Sequence, residues 1–249
     1  MDPPSQARTA LGGRGTPMIR DLVLGLVAVA VLTGATWWGF DLPARYLAVS
    51  VALYGLLSGF ILHFGRGHLP GGELGPANQV TLARATLIVP VAAWVPFASS
   101  LGPQGQWWII VLSTLAMVLD GVDGRLARVW NSRTEFGARF DMELDAFLLL
   151  ALSFLVWLGG RAGPWVLLIG GLRYLFVAAG WVWPRLRGEL PQSFRRQMVC
   201  VVQGVALLIC LGPIIPGFAV QVVAALALAA LLYSFGADTL WLLQRDRRR

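Results

Sequence analysis

The chain has 249 residues, of which 57% are hydrophobic and 13% charged, where an ordinary soluble domain carries roughly a quarter charged. That balance argues against an ordinary soluble enzyme and excludes a disordered chain, which needs few apolar residues and many charges. The net charge is +7, and all 20 basic residues are arginine. A basic excess could suit nucleic acid, but the long apolar runs point instead to a membrane protein whose arginines face one compartment, with no nucleic-acid partner. The 2 cysteines, Cys200 and Cys210, are too few for a disulfide scaffold and, lying in an apolar run, read as buried thiols.

A membrane-spanning helix needs about 20 mostly apolar residues. No charge falls between Asp21 and Asp41, or between Arg45 and Arg66, which predicts helices over 21–40 and 45–64. The uncharged run Ala85–Leu119 is broken by turn residues from Ser99 to Gln106, giving helices over 78–98 and 107–130. Two more fit between Asp141 and Trp183, split near Gly159–Gly163, at 138–159 and 164–184. Gly212-Pro213 and Pro216-Gly217 divide the last run into 196–212 and 217–242. The reading is an all-α polytopic bundle of eight transmembrane spans. Residues 1–20, rich in Gly, Pro, Ser and Arg, read as a disordered tail, and 244–249 as an Arg-rich tail. The first apolar run is span-length and lacks a small-residue cleavage pattern, so a cleavable signal peptide is not expected. Neither an internal repeat nor a second soluble domain is evident.

With eight spans, 16 arginines fall on one side of the membrane and 2, Arg45 and Arg161, on the other, while Arg84 and Arg173 lie inside helices. Arginine-rich loops stay cytoplasmic, so both termini are expected there. Trp37, Trp38, Trp107, Trp108, Trp130, Trp183 and Trp241 fall near predicted helix ends, where indoles favour the interface.

The 13 acidic residues are few, and they concentrate between Asp120 and Asp145. Asp120 and Asp123 are three apart and share a helix face; Asp141 and Asp145 are four apart and share a face of the next helix. A short loop between the helices would gather four carboxylates near the membrane surface. Like charges in a low-dielectric setting are unfavourable by themselves. A hard divalent cation such as Mg²⁺ or Mn²⁺ relieves them and keeps positions open for phosphate oxygens. Gly121, Gly124, Ala127 and Gly137 are small enough for close approach. Arg128, one turn beyond Gly124, is placed for a phosphate. Glu143, two residues from Asp141, falls off that face and reads as a supporting or helix-end residue.

This segment resembles the hallmark of the CDP-alcohol phosphotransferases, D-x2-D-G-x2-A-R-x8-G-x3-D-x3-D. Asp120, Asp123, Gly124, Ala127, Arg128, Gly137, Asp141 and Asp145 occupy every fixed position. The resemblance implies a six-helix core over about 74–243, with the two helices of 21–66 as an N-terminal addition. It implies transfer of a phosphatidyl group from CDP-diacylglycerol to an alcohol hydroxyl, releasing CMP. By similarity two metal ions, Mg²⁺ or Mn²⁺, would be held by Asp120, Asp123, Asp141 and Asp145, with Asp145 also the general base. Gly124, Ala127 and Arg128 would contact the nucleotide, and Thr134 the donor. Pro76–Arg84 resembles the family's N-x2-T-x2-R opening, which makes Asn78 and Thr81 donor contacts; Asn78 is equally a good N-cap for a helix starting there. Family members often dimerise, so a second copy of the chain is a candidate partner beside CDP-diacylglycerol, the acceptor and membrane lipids.

A lone intramembrane arginine is a functional-site hypothesis by default. Arg173, in the middle of the sixth predicted helix, would meet an acceptor phosphate, or else pair structurally with a buried carboxylate. Arg139, Arg195 and Arg196 would complete a cationic pocket, although Arg195 and Arg196 also suit positive-inside anchors. The favoured acceptor is glycerol 3-phosphate, a phosphatidylglycerophosphate-synthase type of reaction. An inositol phosphate, inositol, serine or choline stays open, because Ala146 and Met142 stand where many glycerophosphate-using relatives have a basic residue and proline. Rival readings are an ion-coupled transporter and a non-catalytic membrane scaffold. Arginine-only usage hints at a GC-rich bacterial genome, hence the plasma (inner) membrane, with the active site cytoplasmic.

Overall fold

The computed structural model describes residues 16–65, 74–129, 135–183 and 194–246. Among them there is no strand. The α-helices are α1 (Thr16–Gly39), α2 (Arg45–Gly65), α3 (Gly75–Ala93), α4 (Pro103–Val129), α5 (Glu135–Leu158), α6 (Leu167–Val182), α7 (Phe194–Leu211) and α8 (Gly217–Asp246). Each coincides with one predicted helix, and the differences lie at the ends. α1 starts at Thr16, inside the stretch read as a tail, and α8 runs on to Asp246; residues 1–15 and 247–249 lie outside the described residues. α3 stops at Ala93 rather than 98, and Val95–Ser100 tightens into a 3-10 turn with proline in its first turn. Pro96 disfavours the α conformation at Val95 before it. α6 is likewise entered through a 3-10 turn, Pro164–Val166.

Among the described residues, four helices are long and apolar enough to cross a membrane: Met18–Gly39, Arg45–Phe64, Pro164–Val182 with its entering turn, and Gly217–Trp241. Their outward faces carry Leu24, Val31, Leu56, Trp181 and Leu226, each more than half exposed. Contiguous exposed apolar surface of this extent needs lipid. The other four share their length with polar groups, such as Asn78, Gln79 and Arg84 on α3 and Arg195 and Arg196 on α7.

The chain forms two compact units. One comprises 1–93 with 118–142, the other 94–117 with 143–249. In the first, α1, α2 and α3 pack on one another. Tyr54 on α2 donates to the Leu22 carbonyl of α1 at 2.6 Å, and Tyr46 at the start of α2 donates to the Pro90 carbonyl of α3 at 3.1 Å. Gly25 leaves the space that the Tyr54 hydroxyl fills. Farther along α2, Phe60 stacks on Phe136 and Phe140 of α5, ring centroids 6.3 and 6.4 Å away.

In the second unit α7 and α8 are the main pair. Buried Gln203 donates to the Ala227 carbonyl at 2.9 Å, the kind of interhelical bond that holds membrane helices together. Arg161, in the turn before α6, donates to the carbonyls of Cys210 (3.1 Å), Gly212 (2.7 Å) and Ile215 (2.8 Å). It thereby satisfies acceptors that the C-terminus of α7 leaves without intrahelical partners. Cys210 is buried as expected, whereas Cys200 is only half-buried.

α5 and α6 touch backbone to backbone at Gly170. A β-carbon there would lie 2.6 Å from the Leu150 nitrogen and 2.7 Å from the Leu149 oxygen, whereas one at Gly171 would meet nothing within 4 Å. Gly170→Ala should therefore lower the melting temperature of detergent-purified protein, at a cost of about 1–3 kcal/mol typical of overpacking, while Gly171→Ala leaves it unchanged. Equal melting temperatures would show that the α5–α6 crossing is looser than described.

Candidate active site

Within the first unit, three helices each contribute one charge. α3 carries Arg84, near the end of its polar first half. α4 carries Asp120 about two-thirds of the way along. α5 carries Asp141, in its second turn. Arg84 is almost completely buried, with a relative exposure of 1%. The same guanidinium nitrogen bonds the Oδ1 of Asp120 at 2.9 Å and the Oδ1 of Asp141. The two carboxylates remain 34% and 36% exposed, so each presents one edge to the arginine and keeps another open. A buried guanidinium requires such partners, since an uncompensated ion costs several kcal/mol.

Asp120 and Asp141 bring carboxylate oxygens within 4.8 Å of each other. One turn further along α5, Asp145 brings an oxygen within 4.8 Å of Asp141's. An all-oxygen donor set at this spacing suits a hard ion. The residues present therefore fit the metal that the sequence motif implies. The side chains of Asp123, Gly124, Ala127 and Arg128 on α4 lie outside the described residues, as does Thr134.

Arg84 is the residue that the sequence reading left without a role. Its signals were there: it stands alone in an apolar stretch and closes the N-x2-T-x2-R pattern. Asn78 and Thr81, the other members of that pattern, are both buried. α3 begins three residues before Asn78, so Asn78 is inside the first turn rather than at the N-cap, and its amide donates back to the Leu74 carbonyl at 2.6 Å. Next to it, Gln79 donates to Asp21 of α1 at 2.9 Å. Asp21 is itself a buried carboxylate, and α1 thereby grips the start of the helix that carries Arg84.

The expected acceptor residues have separate surroundings. Arg173 on α6 is ion-paired with Glu143 on α5. This gives Glu143 a supporting position, and it gives Arg173 a carboxylate partner, though a half-exposed one rather than the buried one of the alternative reading. Arg195 on α7 donates to the Ser234 carbonyl of α8 at 2.8 Å and pairs with Asp238, an anchor between two helices. Arg196 is half-buried, and Arg139 is exposed on α5.

Residues 75–234 match the CDP-alcohol phosphatidyltransferase family. A CDP-diacylglycerol–glycerol-3-phosphate 3-phosphatidyltransferase of Cereibacter sphaeroides is 37% identical over 92 residues, covering 36% of this chain and 40% of the relative. A CMP-forming cardiolipin synthase of Streptomyces coelicolor is 32% identical over 75 residues, covering 30% of this chain and 34% of the relative. The chain thus aligns with well under half the length of either curated relative. No solved structure matches it. The family match spans more than half the chain, includes Arg84 and the whole aspartate segment, and joins the four apolar helices: this is an integral-membrane member of the CDP-alcohol phosphatidyltransferase family.

Proposed function

We propose that the protein transfers a phosphatidyl group from CDP-diacylglycerol to the hydroxyl of a small alcohol and releases CMP, with glycerol 3-phosphate the favoured acceptor. The observation that carries this reading is the trio of carboxylates, Asp120, Asp141 and Asp145, two of them held by buried Arg84. The relative from Cereibacter sphaeroides supports the acceptor. The one from Streptomyces coelicolor supports a second reading, in which the product is cardiolipin.

Asp120, Asp123, Asp141 and Asp145 hold two divalent ions, which when bound neutralise the pyrophosphate and the charge developing on the departing CMP. Arg84 keeps the Asp120 and Asp141 oxygens in place before any ion arrives. Asp145 accepts the proton of the acceptor hydroxyl, which has a high pKa and needs a base within hydrogen-bond reach. Asn78, Thr81, Gly124, Ala127, Arg128 and Thr134 contact the donor. Arg173, together with Arg139, Arg195 and Arg196, receives the acceptor's phosphate, and Glu143 holds Arg173 in position until the acceptor binds. The catalytic domain covers 74–243, with the helix pair of 21–66 added ahead of it. All eight helices span the membrane, the one-sided arginines placing both termini and the active site in the cytoplasm of a bacterium, at its inner membrane. A homodimer fits the family habit.

Purified protein with CDP-diacylglycerol and Mg²⁺ or Mn²⁺ should release CMP when glycerol 3-phosphate is added, and less with inositol phosphate, inositol, serine or choline. A chelator should stop the release and either metal should restore it. Asp145→Asn should bind nucleotide without turnover. A chain that never liberates CMP with any acceptor would return the aspartates to the ion-coupled transporter reading; cardiolipin as the main lipid product would select the second.

Arg84→Lys keeps the charge but has a shorter reach and gives up the guanidinium's other donors. It should raise the metal concentration needed for half-maximal CMP release by about tenfold or more, one lost charge-assisted bond being worth about 1.5–3 kcal/mol. An unchanged metal requirement would remove Arg84 from the site.

Arg173→Ala should raise the KM for glycerol 3-phosphate about tenfold or more, with a smaller effect on the KM for CDP-diacylglycerol. Glu143→Gln should change the same constant, by freeing the guanidinium. If neither variant alters it, Arg173 is a strut between α5 and α6 and the acceptor's phosphate lies elsewhere.

A further inference from the structure

The far end of α1 holds a group of side chains that the carboxylate site does not use. α1 closes with the Phe40 amide bonded to the Thr36 carbonyl at 3.1 Å and the Leu42 amide to the Trp37 carbonyl at 3.3 Å. That closure puts Asp41 in the left-handed region, at φ 48°. Helices ordinarily place glycine there, or asparagine. The left-handed backbone costs aspartate less when its side chain bonds locally, and at a helix end its charge also meets the unfavourable negative end of the dipole. Asp41 is exposed, and among the described residues it has neither a hydrogen-bond nor an ion-pair partner to offset either cost.

Its neighbours explain what such a carboxylate could serve. Trp37 and Trp38 meet edge to face, with ring centroids 6.5 Å apart and planes at 65°, and Trp38 is 80% exposed. With Asp41 and buried Leu42 the two indoles line an open hollow of about 420 Å³. Indole faces at a steep angle beside a carboxylate are the chemistry that binds an ammonium or quaternary ammonium group. Interfacial preference accounts for the tryptophans, but not for a negative charge where a neutral glycine would fit better. Four residues on, Arg45 opens α2, exposed and likewise without a bond or ion pair among the described residues. Two opposite charges close in sequence are thus left apart. A ligand carrying an ammonium and a phosphodiester would satisfy both.

We propose that Trp37, Trp38, Asp41 and Arg45 form a binding site for the headgroup of a zwitterionic phospholipid, its ammonium in the Trp–Trp–Asp hollow and its phosphate at Arg45. The site stands apart from the carboxylate cluster. The 24 residues of α1 rise about 36 Å, and it is the opposite end of α1, at Asp21, that bonds Gln79 beside the Arg84 segment. The proposal does not depend on the reaction catalysed.

The test is thermal melting of the full chain in detergent, with phosphatidylethanolamine, phosphatidylcholine or phosphatidylglycerol titrated in. The two zwitterionic lipids should raise the melting temperature saturably, and phosphatidylglycerol should not. Asp41→Gly is the decisive variant. Glycine suits the left-handed backbone, so the lipid-free protein should melt at the same temperature or higher, while the half-saturating zwitterionic lipid rises about tenfold. Trp38→Ala should weaken lipid binding similarly, and CMP release should be unaffected in both. Choline alone should compete with the lipid in the wild-type chain. The proposal is overturned if Asp41→Gly retains wild-type lipid stabilisation, if phosphatidylglycerol stabilises equally, or if Asp41→Gly melts lower without lipid, which would make Asp41 purely structural. Choline binding with no lipid retained overturns the lipid as the source of the ammonium.

Discussion

A guanidinium sealed from solvent and shared by two carboxylates organises the first unit. Arg84 cannot be buried without Asp120 and Asp141, and their two like charges cannot approach without Arg84 or a cation. The three groups come from three helices, so their mutual need ties α3, α4 and α5 together at one depth. The arrangement also leaves the outer edges of the carboxylates accessible.

The helix pair that precedes the family domain is built into that organisation. α1 reaches α3 through Asp21 and Gln79, and α2 reaches it through Tyr46 and the Pro90 carbonyl. Phe60 of α2 stacks on both aromatic residues of the first turns of α5, and Phe140 is the residue before Asp141. α1 and α2 therefore buttress two of the three elements that carry the central charges. Polar bonds of this kind between membrane helices contribute roughly 1 kcal/mol each; the aromatic stack adds packing that tolerates little displacement.

Arginine stands wherever this protein could have used lysine, and its copies serve different ends according to what surrounds them. Arg161 satisfies three carbonyls at and beyond the end of α7. Arg195 ties α7 to α8 through Asp238 and the Ser234 carbonyl. Arg84 bridges Asp120 and Asp141. The planar, multiply donating guanidinium suits all three tasks, and lysine suits none of them equally.

Much of the fold was legible in the amino-acid order. Long uncharged stretches cut by Gly-Pro and Ser-Gly turns locate all eight helices, because a helix in lipid must be apolar and its interruptions must be turn-forming. The aspartate segment was legible for a related reason: carboxylates at spacings of three and four on adjoining helices have few physical uses other than holding a cation. Periodicity could not reveal partners distant in the chain. That Arg84 meets Asp120 and Asp141, that Arg173 meets Glu143, and that Arg195 meets Asp238 depends on which helix faces lie against each other. Those faces are selected by side-chain packing and by close approaches such as Gly170 against Leu150, not by local propensity. The left-handed backbone at Asp41 was hidden for the same reason, since only the closed end of α1 shows that a charged residue occupies a position suited to glycine.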